Sequence, residues 1–387
     1  MKNKEKFFSI ALFLAFLISV SSMASASNVQ SASPTITETQ VTTGGLATNP
    51  TIYGDIIAWE GNRSGNEDIY MYDILTSKKT PVTTSGSAYS PAIYGDRIVW
   101  EDWRNENGDI YMYNSSTQKE TQITTSGSDH ESPAIYDNRI VWEDNRSGNW
   151  DIFMYDLSTL KETQITTSGL ATNAVIYGDR IVWEDNRSGN DDIYMYDVIT
   201  SKETPVTTSG SAYSPAIYGD RIVWEDWRNG NGDIYMYNLS TSNETQITTN
   251  ESDKEFPVIY DDRIVWKDNR NGNWDIFMYD LSNKKESQIT ANKLDQVGPI
   301  IYGDRIMWED GRNGSSDIYM CNLSSTQLKH NTQDLEQNNG SATANIEQTP
   351  EQTASPSTSG KGSPSMPGFE IASGIICLVG AFLYKRR

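Results

Sequence analysis

The amino-acid sequence predicts an all-β fold, a seven-bladed β-propeller of four-stranded antiparallel blades. The first observation is a tryptophan within the motif IYGDRIVWED or a close variant, which recurs every 41 or 42 residues. The second is a D-I-(Y/F)-M-Y run that begins nine residues after each tryptophan, and the third is a polar (K/N)-E-T-Q-I-T-T motif that precedes each unit. Four short strands repeated every 40–45 residues or so are typical of propeller blades. The tryptophans are Trp59, Trp100, Trp142, Trp183, Trp224, Trp266 and Trp308.

Each unit supplies four strands in the same order. The first ends in an Ile-Tyr pair such as Ile93-Tyr94, and a two-residue turn of Gly, Asn and Asp follows, for which we predict a type I′ hairpin with positive φ at both residues. The second and third strands are apolar on both faces, which indicates blades stacked face to face. The fourth is polar and contains Pro81 and Pro205 in two copies, so we place it at the outer edge of the blade.

The polar motif also predicts how the ring closes. Its first copy, residues 37–43, precedes any inner strand, whereas the unit around Trp308 has no clear outer strand after it. We therefore expect the N-terminal copy to complete the last blade. Residues Ser85–Asn105 and Ser209–Asn229 are identical, and units one to three match units four to six at an offset of 124 residues. This pattern indicates a duplicated group of three units plus a seventh.

Both ends of the chain have the composition of targeting segments. Residues 1–26 combine three lysines, an apolar run and a final Ala-Ser-Ala, as in a signal peptide. Residues 327–366 are rich in Ser, Thr, Gln and Pro, which predicts a disordered stalk. Residues 367–387 contain a short hydrophobic tail with a basic end, too short to span a bilayer comfortably. The propeller is assigned to residues 27–326.

Two parts of the chain resemble known families. Pro367, Gly368 and Phe369, with the hydrophobic tail after them, are similar to the PGF-CTERM sorting signal of archaeal surface proteins. That resemblance implies removal of the tail by an archaeosortase-type enzyme and attachment to a membrane lipid, by a logic like that of lipid-anchor signals. Retention of the tail as a membrane anchor is the alternative. In both cases the body is expected outside the cell, on the outer face of the cytoplasmic membrane.

The repeats, about three quarters of the chain, resemble the TolB-like, WD40-like propeller repeats of surface proteins in methanogenic archaea. This resemblance implies the fold and says little about activity, since propellers host many functions.

The charge balance argues against nucleic acid as a partner. The chain has a net charge of −21, and about −25 without its two end segments, so it should repel nucleic acid and anionic membranes. Cys321 and Cys377 lie in the last repeat and in the tail, so we expect no useful disulfide.

Two residue types recur in every unit, and we expect both to be architectural. The tryptophans should pack between blades, each burying surface worth on the order of 4–6 kcal/mol as an upper bound. An arginine in each loop between the second and third strands should pair with the aspartate that opens the third strand. These arginines are Arg63, Arg104, Arg146, Arg187, Arg228, Arg270 and Arg312.

Motifs for catalysis and metal binding are weak. His130 and His330 are the only histidines, and no nucleophile or zinc motif occurs, although a carboxylate pair of the glycosidase kind stays open. The loop Asp144–Asn149 has the composition of a calcium loop, but Arg146 stands at the third position, where an oxygen ligand is needed. No cofactor is therefore predicted, and Ca²⁺ is favoured only weakly.

Aromatic departures from the repeat indicate a candidate ligand-binding face. Loops after the second strand and loops between blades leave a propeller on the same face, where aromatic rings among acids could stack on sugars or hold a protein partner. Packing of these rings over neighbouring loops is the alternative. The candidate residues are Trp103, Trp150, Trp227, Trp274, Tyr89, Tyr213 and His130.

N-x-S/T sequons are dense in the repeats and would suit an exported protein. Sugars on the loop face would crowd any broad binding surface there. The candidate asparagines are Asn62, Asn114, Asn145, Asn186, Asn238, Asn243, Asn250, Asn313, Asn322 and Asn339.

The sequence thus favours a cell-surface-anchored propeller that acts as a binding, adhesion or envelope-structural module. Its expected partner is a cell-envelope glycan or a surface protein. The alternative is a polysaccharide-acting enzyme, a glycosidase or lyase, that uses carboxylates at the central channel.

Overall fold

The computed structural model describes residues 36–63 and 65–323, which form 28 β-strands in seven four-stranded antiparallel sheets. Each sheet is one blade, and every inner strand contacts the inner strands of both neighbouring blades, so that the ring is closed. The prediction of an all-β, seven-bladed propeller is confirmed. The predicted signal peptide, stalk and sorting signal lie outside the described residues.

The strands fall into four classes by their place in the blade, and each class has one member per blade. The inner strands are β2 Ala47–Tyr53, β6 Ala88–Tyr94, β10 His130–Tyr136, β14 Ala171–Tyr177, β18 Ala212–Tyr218, β22 Lys254–Tyr260 and β26 Gln296–Tyr302. The second strands are β3 Ile56–Arg63, β7 Arg97–Asp102, β11 Arg139–Asp144, β15 Arg180–Asp185, β19 Arg221–Asp226, β23 Arg263–Asp268 and β27 Arg305–Asp310. The third strands are β4 Asn66–Asp73, β8 Asp109–Asn114, β12 Asp151–Asp156, β16 Asp192–Asp197, β20 Asp233–Asn238, β24 Asp275–Asp280 and β28 Asp317–Asn322. The outer strands are β5 Lys78–Pro81, β9 Lys119–Gln122, β13 Lys161–Gln164, β17 Lys202–Pro205, β21 Asn243–Gln246, β25 Lys285–Gln288 and, for the last blade, β1 Glu38–Gln40.

The seventh blade closes the ring with the N-terminal strand, as predicted. β1 pairs antiparallel with β28, placing Glu38 opposite Cys321 and Thr39 opposite Met320. The carboxylate of Glu38 also accepts a hydrogen bond from Arg312 at 2.6 Å. The first and last strands of the described chain therefore hold each other in one sheet.

The repeated tryptophans form the core between blades, which confirms their predicted role. All seven side chains are at most 1% exposed. Each ring stacks on the Tyr or Phe of the third strand in its own blade, with centroids 6.0–6.4 Å apart. In blades 2 to 7 the indole N–H donates to an aspartate two residues further on, so that the one polar atom of the ring has a partner.

The recurring arginine pairs with a different aspartate from the one predicted. Arg104 binds Asp102, at the end of the second strand, through Nη2 at 2.5 Å, and its guanidinium lies over the ring of Tyr111 and reaches Glu120 on the outer strand. The backbone N–H of Arg104 donates to the same Asp102, because the tight turn brings residues two apart together. The aspartate that opens the third strand, Asp109, binds a threonine beyond the outer strand. Five further blades repeat this arrangement at Arg146, Arg187, Arg228, Arg270 and Arg312.

The turns between the first and second strands also differ from the prediction. Only the first residue of each two-residue turn has a positive φ, as in Gly95 at 61° and Asp137 at 50°. The second residue does not, so the type I′ prediction, which needs positive φ at both, is wrong.

Candidate functional site

The central channel is narrowed by a ring of tyrosines at the end of the inner strands. The last residue of each inner strand is a tyrosine, and neighbouring ring centroids lie 4.8–5.3 Å apart around a closed circle. Seven centroids at this spacing lie on a circle with a radius of about 6 Å around the channel axis. Because nonbonded heavy atoms stay about 3.5–4 Å apart, only water or a small ion would fit on the axis between the rings. Burial raises the pKa of Tyr136 and Tyr260 to about 12. The ring members are Tyr53, Tyr94, Tyr136, Tyr177, Tyr218, Tyr260 and Tyr302.

The opposite end of the channel, which we call the mouth, is bordered by a ring of glutamates. Each follows the core tryptophan and accepts a hydrogen bond, 2.5–3.0 Å long, from a backbone N–H at the bulge of the next inner strand. In Glu60, for example, Oε1 accepts from the N–H of Ser90 in the neighbouring blade. These bonds join adjacent blades near the axis. The glutamates are Glu60, Glu101, Glu143, Glu184, Glu225 and Glu309.

The bulge residues that donate these bonds have a strained backbone. Ser90, Ser132 and Phe256 have φ between 51° and 54°, a conformation that costs L-residues roughly 1–3 kcal/mol. The carboxylate hydrogen bond from the preceding blade offsets this cost. In the last blade the equivalent position is Gly298, for which positive φ is not strained.

Burial keeps the mouth carboxyls partly protonated near neutral pH. Because desolvation disfavours the charged form, the pKa of Glu101, Glu184, Glu225 and Glu309 is raised to about 7, and that of Glu143 to about 8. These groups can therefore donate as well as accept hydrogen bonds.

One position breaks the ring of glutamates. Lys267 takes the place of glutamate in blade 6, and its ammonium lies 2.8 Å from Glu255 and over the rings of Phe256 and Trp274 at 4.7 and 4.2 Å. Gly298 in the next blade consequently lacks the carboxylate that the other bulges have. This side of the mouth is filled by the lysine and its aromatic neighbours.

The other side of the mouth holds a cavity of about 330 Å³ between blades 7, 1 and 2. Its volume lies within the range of small-molecule sites, about 300–1,000 Å³. The lining is polar, with three carboxyls, one amide, three hydroxyls and one aromatic ring. The lining residues are Thr48, Asn49, Glu60, Tyr89, Ser90, Glu101 and Glu309.

Among the predicted ligand-binding residues, Tyr89 lies in this cavity and its counterpart Tyr213 does not. The two occupy the same position in identical stretches of sequence, but the hydroxyl of Tyr213 donates to Asp191 at 2.8 Å. In blade 1 the residue equivalent to Asp191 is Glu67, which accepts from Asn62, as Asp191 does from Asn186, but does not accept from the hydroxyl of Tyr89. Among the described residues the hydroxyl of Tyr89 has no hydrogen-bond partner, so it is available to a ligand.

The four predicted tryptophans are half-buried and none lines the cavity. Trp103 donates from Nε1 to Glu101 at 3.4 Å and packs so closely on Gly108 that a Cβ there would lie 3.1 Å from the indole. Trp227 has the equivalent contacts. These two rings therefore pack on their own loops, which favours the structural interpretation for them. Trp274 covers Lys267, and Trp150 lies on the same face without a ring partner among the described residues.

His130 does not belong to the exposed face, contrary to the prediction. Its side chain is 0% exposed. Nδ1 lies 2.8 Å from the carbonyl of Gly108 and Nε2 lies 2.8 Å from Ser126 Oγ, with Asp109 and Asp144 close by at 3.5 and 3.3 Å. Although burial opposes it, these partners raise the pKa of His130 overall. The histidine is a buried polar core residue rather than a ligand contact.

Some sequon amides are already engaged. The side-chain nitrogens of Asn62, Asn186 and Asn313 donate to Glu67, Asp191 and the hydroxyl of Tyr319 at 2.5, 2.7 and 2.8 Å. A sugar on these nitrogens would replace those hydrogen bonds. Asn243 and Asn322 are exposed, whereas Asn339 lies outside the described residues.

The loop Asp144–Asn149 uses its carboxylate internally. Both oxygens of Asp144 accept from Arg146, and Oδ2 also accepts from the indole of Trp142. In the part of the chain that the structure describes, no group of three or more His, Cys, Asp or Glu side chains could hold a metal ion. Within the same residues, no helix has the length and apolar character needed to cross a bilayer.

The fold and this mouth define a seven-bladed β-propeller with a polar cavity at one end of its channel. Solved structures of similar fold include the β-propeller domain of the trilobed protease from Pyrococcus furiosus, at 12% identity and a TM-score of 0.59, covering 72% of this chain and 95% of that one. An oligogalacturonate lyase in complex with manganese matches at 12% identity and a TM-score of 0.61, covering 76% of this chain and 94% of that one. At these identities the matches show the fold alone.

A third match is an acylaminoacyl peptidase from Pyrococcus horikoshii, at 12% identity and a TM-score of 0.59, which covers 75% of this chain. This chain spans 54% of the length of that peptidase. A TolB protein from Acinetobacter baumannii matches at 17% identity and a TM-score of 0.49, covering 62% of this chain and 66% of that one. No family model matches the sequence, and no curated protein matches it.

Proposed function

We propose that the chain is a binding module of the cell surface whose ligand is a neutral, hydroxyl-rich glycan held in the mouth cavity. The observation that carries this proposal is the cavity of about 330 Å³ between blades 7, 1 and 2. A scaffold of seven similar blades is rigid and leaves function to the places where the repeats differ, and this cavity is such a place.

The chemistry of the lining suits hydroxyl groups. Glu101 and Glu309, with pKa values of about 7, supply both donors and acceptors, and the amide of Asn49 does the same. The half-buried ring of Tyr89 offers a face on which the C–H groups of a sugar ring can stack. A free hydroxyl on that ring adds one more hydrogen bond.

Charge argues against an acidic ligand. The chain carries a net charge of −21, and the cavity lining contains three carboxyls and no lysine or arginine. A uronic acid polymer would bring its carboxylates into the negative field of an acidic chain and beside the ionised fraction of these carboxyls, which is unfavourable. A neutral glycan avoids that repulsion.

The two ends of the chain support a location on the outer face of the cell. The signal-like residues 1–26 would direct export, and the PGF-type tail at residues 367–387 would tether the propeller to the membrane through a lipid or as a short anchor. Its partner in this setting is a glycan of the cell envelope or of a neighbouring cell.

A binding screen with a matched pair of variants tests the proposal. The full chain is applied to a panel of neutral, uronic acid and amino-sugar glycans, beside Tyr89→Ala and Tyr213→Ala. We expect binding to neutral glycans that Tyr89→Ala weakens by about ten-fold or more, which is about 1.4 kcal/mol, and that Tyr213→Ala leaves unchanged. Equal loss in both variants, preference for uronic acids, or no glycan bound at all would sink the proposal. Binding only to a surface protein would count against it in the same way.

A carboxylate-based glycosidase or lyase is the second candidate. The observation that favours it is that Glu60, Glu101 and Glu309 border one cavity and all have a raised pKa, as a general acid requires. Release of reducing ends from a neutral glycan, abolished by Glu101→Gln or Glu309→Gln while binding persists, would establish the enzyme. Binding without turnover would leave the binding module.

A further inference from the structure

The loops that enter the blades have two lengths, and the residue that begins the inner strand changes with the length. A buried threonine follows each outer strand, and we count from it to the first residue of the next inner strand. In blades 1, 2, 4 and 5 that first residue is an alanine, five positions after the threonine. In blades 3, 6 and 7 it is His130, Lys254 or Gln296, six positions after the threonine. All three of these side chains are 0% exposed. Each must therefore find partners inside the protein.

The short loops satisfy an aspartate with a backbone amide. In each of them a loop glycine donates its N–H, at 3.0–3.2 Å, to Oδ1 of the aspartate in the D-I-(Y/F)-M-Y run of the preceding blade. The donors are Gly45, Gly86, Gly169 and Gly210, and the acceptors are Asp317, Asp68, Asp151 and Asp192.

In two of the long loops the inner-strand side chain replaces that amide. The ammonium of Lys254 lies 2.9 Å from Oδ1 of Asp233. Nδ1 of His130 lies 3.5 Å from Oδ1 of Asp109. A nitrogen therefore faces this oxygen in six of the seven blades.

In blade 7 neither a loop glycine nor the inner-strand side chain supplies such a nitrogen. Oδ1 of Asp275 accepts from the hydroxyl of Thr290 at the long distance of 3.5 Å. The amides of Asn271 and Gln288 donate to Oδ2 at 2.8 and 3.1 Å, and the amide of Asn273 is a further partner of this carboxyl. The side-chain nitrogen of Gln296 donates to the carbonyl of Leu294, and its Oε1 is buried with no hydrogen-bond partner.

Blade 6 shows what the surrounding oxygen atoms bind. The ammonium of Lys254 donates to the carbonyl oxygens of Asn250 and Ser252 as well as to Asp233. The amide of Asn231 donates to the same two carbonyls at 3.3 and 3.2 Å, which fixes their position.

The same carbonyls are present in blade 7. The amide of Asn273 donates to the carbonyl oxygens of Asn292 and Leu294 at 3.0 and 3.2 Å, as its counterpart does in blade 6. The two loops therefore present matching oxygen atoms, and they differ in the side chain that meets them. A lysine brings its own positive charge, whereas Gln296 brings a further oxygen.

We propose that blade 7 binds a metal cation at this position, with Oδ1 of Asp275, the carbonyl oxygens of Asn292 and Leu294, and Oε1 of Gln296 as ligands. Oxygen ligands alone select hard cations, and a site that mixes carbonyls, an amide and a carboxylate suits Ca²⁺. Turning the amide of Gln296 toward the cation costs the hydrogen bond to Leu294. With a single carboxylate the dissociation constant should be that of extracellular calcium modules, on the order of 10⁻⁴–10⁻³ M.

Thermal unfolding of the full chain and of Gln296→Lys tests the site. The variant places in blade 7 the ammonium that blade 6 already has, so it should fold without a cation. After chelation, CaCl₂ at about ten times the dissociation constant should raise the Tm of the unaltered chain by about 2–4 °C and leave Gln296→Lys unchanged. Choline chloride at equal ionic strength controls for screening, and NaCl in a third arm shows whether sodium also binds.

A second readout does not depend on stability. Trp274 precedes Asp275 in the chain, and its carbonyl accepts the backbone N–H of Gln296. Tb³⁺ bound at the site should therefore luminesce on indole excitation, and Ca²⁺ should displace it from the unaltered chain. In Gln296→Lys, the part of the terbium emission that falls on addition of Ca²⁺ should be absent. The same response to CaCl₂ in both proteins, or no displaceable terbium emission in the unaltered chain, would overturn the proposal.

Discussion

Replacing Glu143 with glutamine should make the free energy of unfolding depend less on pH, because glutamine cannot ionise. Glu143 is 2% exposed and belongs to the mouth ring of glutamates. Desolvation is the main cause that raises the pKa of this carboxyl to about 8, although the backbone N–H of Asn173 donates to it at 2.8 Å. Glutamine keeps the shape and the acceptor oxygen, and it cannot ionise.

The sign and size of the effect follow from linkage. A carboxyl whose pKa is about 8 in the folded state and 4.5 in the unfolded state binds more protons when folded, between these two values. Stability is therefore full below pH 4.5 and falls as the pH rises toward 8, by on the order of 4–5 kcal/mol for this one group. Glu143→Gln should match the unaltered chain at pH 5 and exceed its stability above pH 8.

Urea unfolding at pH 5, 6, 7, 8 and 8.5 measures this difference directly. Glu251→Gln, at an exposed glutamate, is the control and should follow the unaltered chain at every pH. The free energies of unfolding of the unaltered chain and Glu143→Gln should diverge steadily with pH. Parallel curves across this range would refute the reasoning that burial of the mouth carboxyls governs their protonation.

Three further predictions concern the core, the buried histidine and the ring closure. Trp142→Ala should cost about 3–5 kcal/mol in urea unfolding because the ring is fully buried, whereas Trp150→Ala, on the loop face, should cost under about 1 kcal/mol. The raised pKa of His130 means that its stabilisation is full below its unfolded pKa near 6.5 and is lost as the pH rises through the folded value. His130→Lys, which stays charged, should flatten that part of the stability curve, and an unchanged slope would contradict this. Glu38→Cys should form a disulfide with Cys321 opposite it in the sheet, seen as a mobility shift and a higher Tm that reductant reverses, and absence of the cross-link would contradict the observed register.

The strand order and the ring closure could be predicted because they depend on periodicity. Seven copies of an apolar motif at nearly constant spacing leave few other ways to bury both faces of each strand. The leading polar copy at residues 37–43 had no blade to join except the last. The arginine partner could not be predicted this way, because the aspartate at the Asp102 position recurs in six blades and the one at the Asp109 position in all seven, and only the geometry of the turn selects Asp102.

The mouth cavity could not be predicted because it depends on contacts between blades. Tyr89 and Tyr213 lie in identical segments, and residues in the neighbouring blades, among them Glu67 and Asp191, distinguish their surroundings. The glutamate after each tryptophan was a visible signal, broken only at Lys267, but its place beside the axis follows from the bulge in the next inner strand. The link between loop length and the residue that begins the inner strand was also present in the sequence. That link could be interpreted only once the structure showed which backbone carbonyl groups lie beside these side chains.

Hydrogen–deuterium exchange with the glycan selected by the screen tests the central claim most directly, because it reports where the ligand lies. We expect added protection in peptides that cover residues 48–49 and 89–90, which line the mouth cavity. Peptides at the matched positions 172–173 and 213–214 should not change. Protection confined to the loops that carry Trp103 and Trp150 would contradict the cavity and return the binding site to the aromatic loop face.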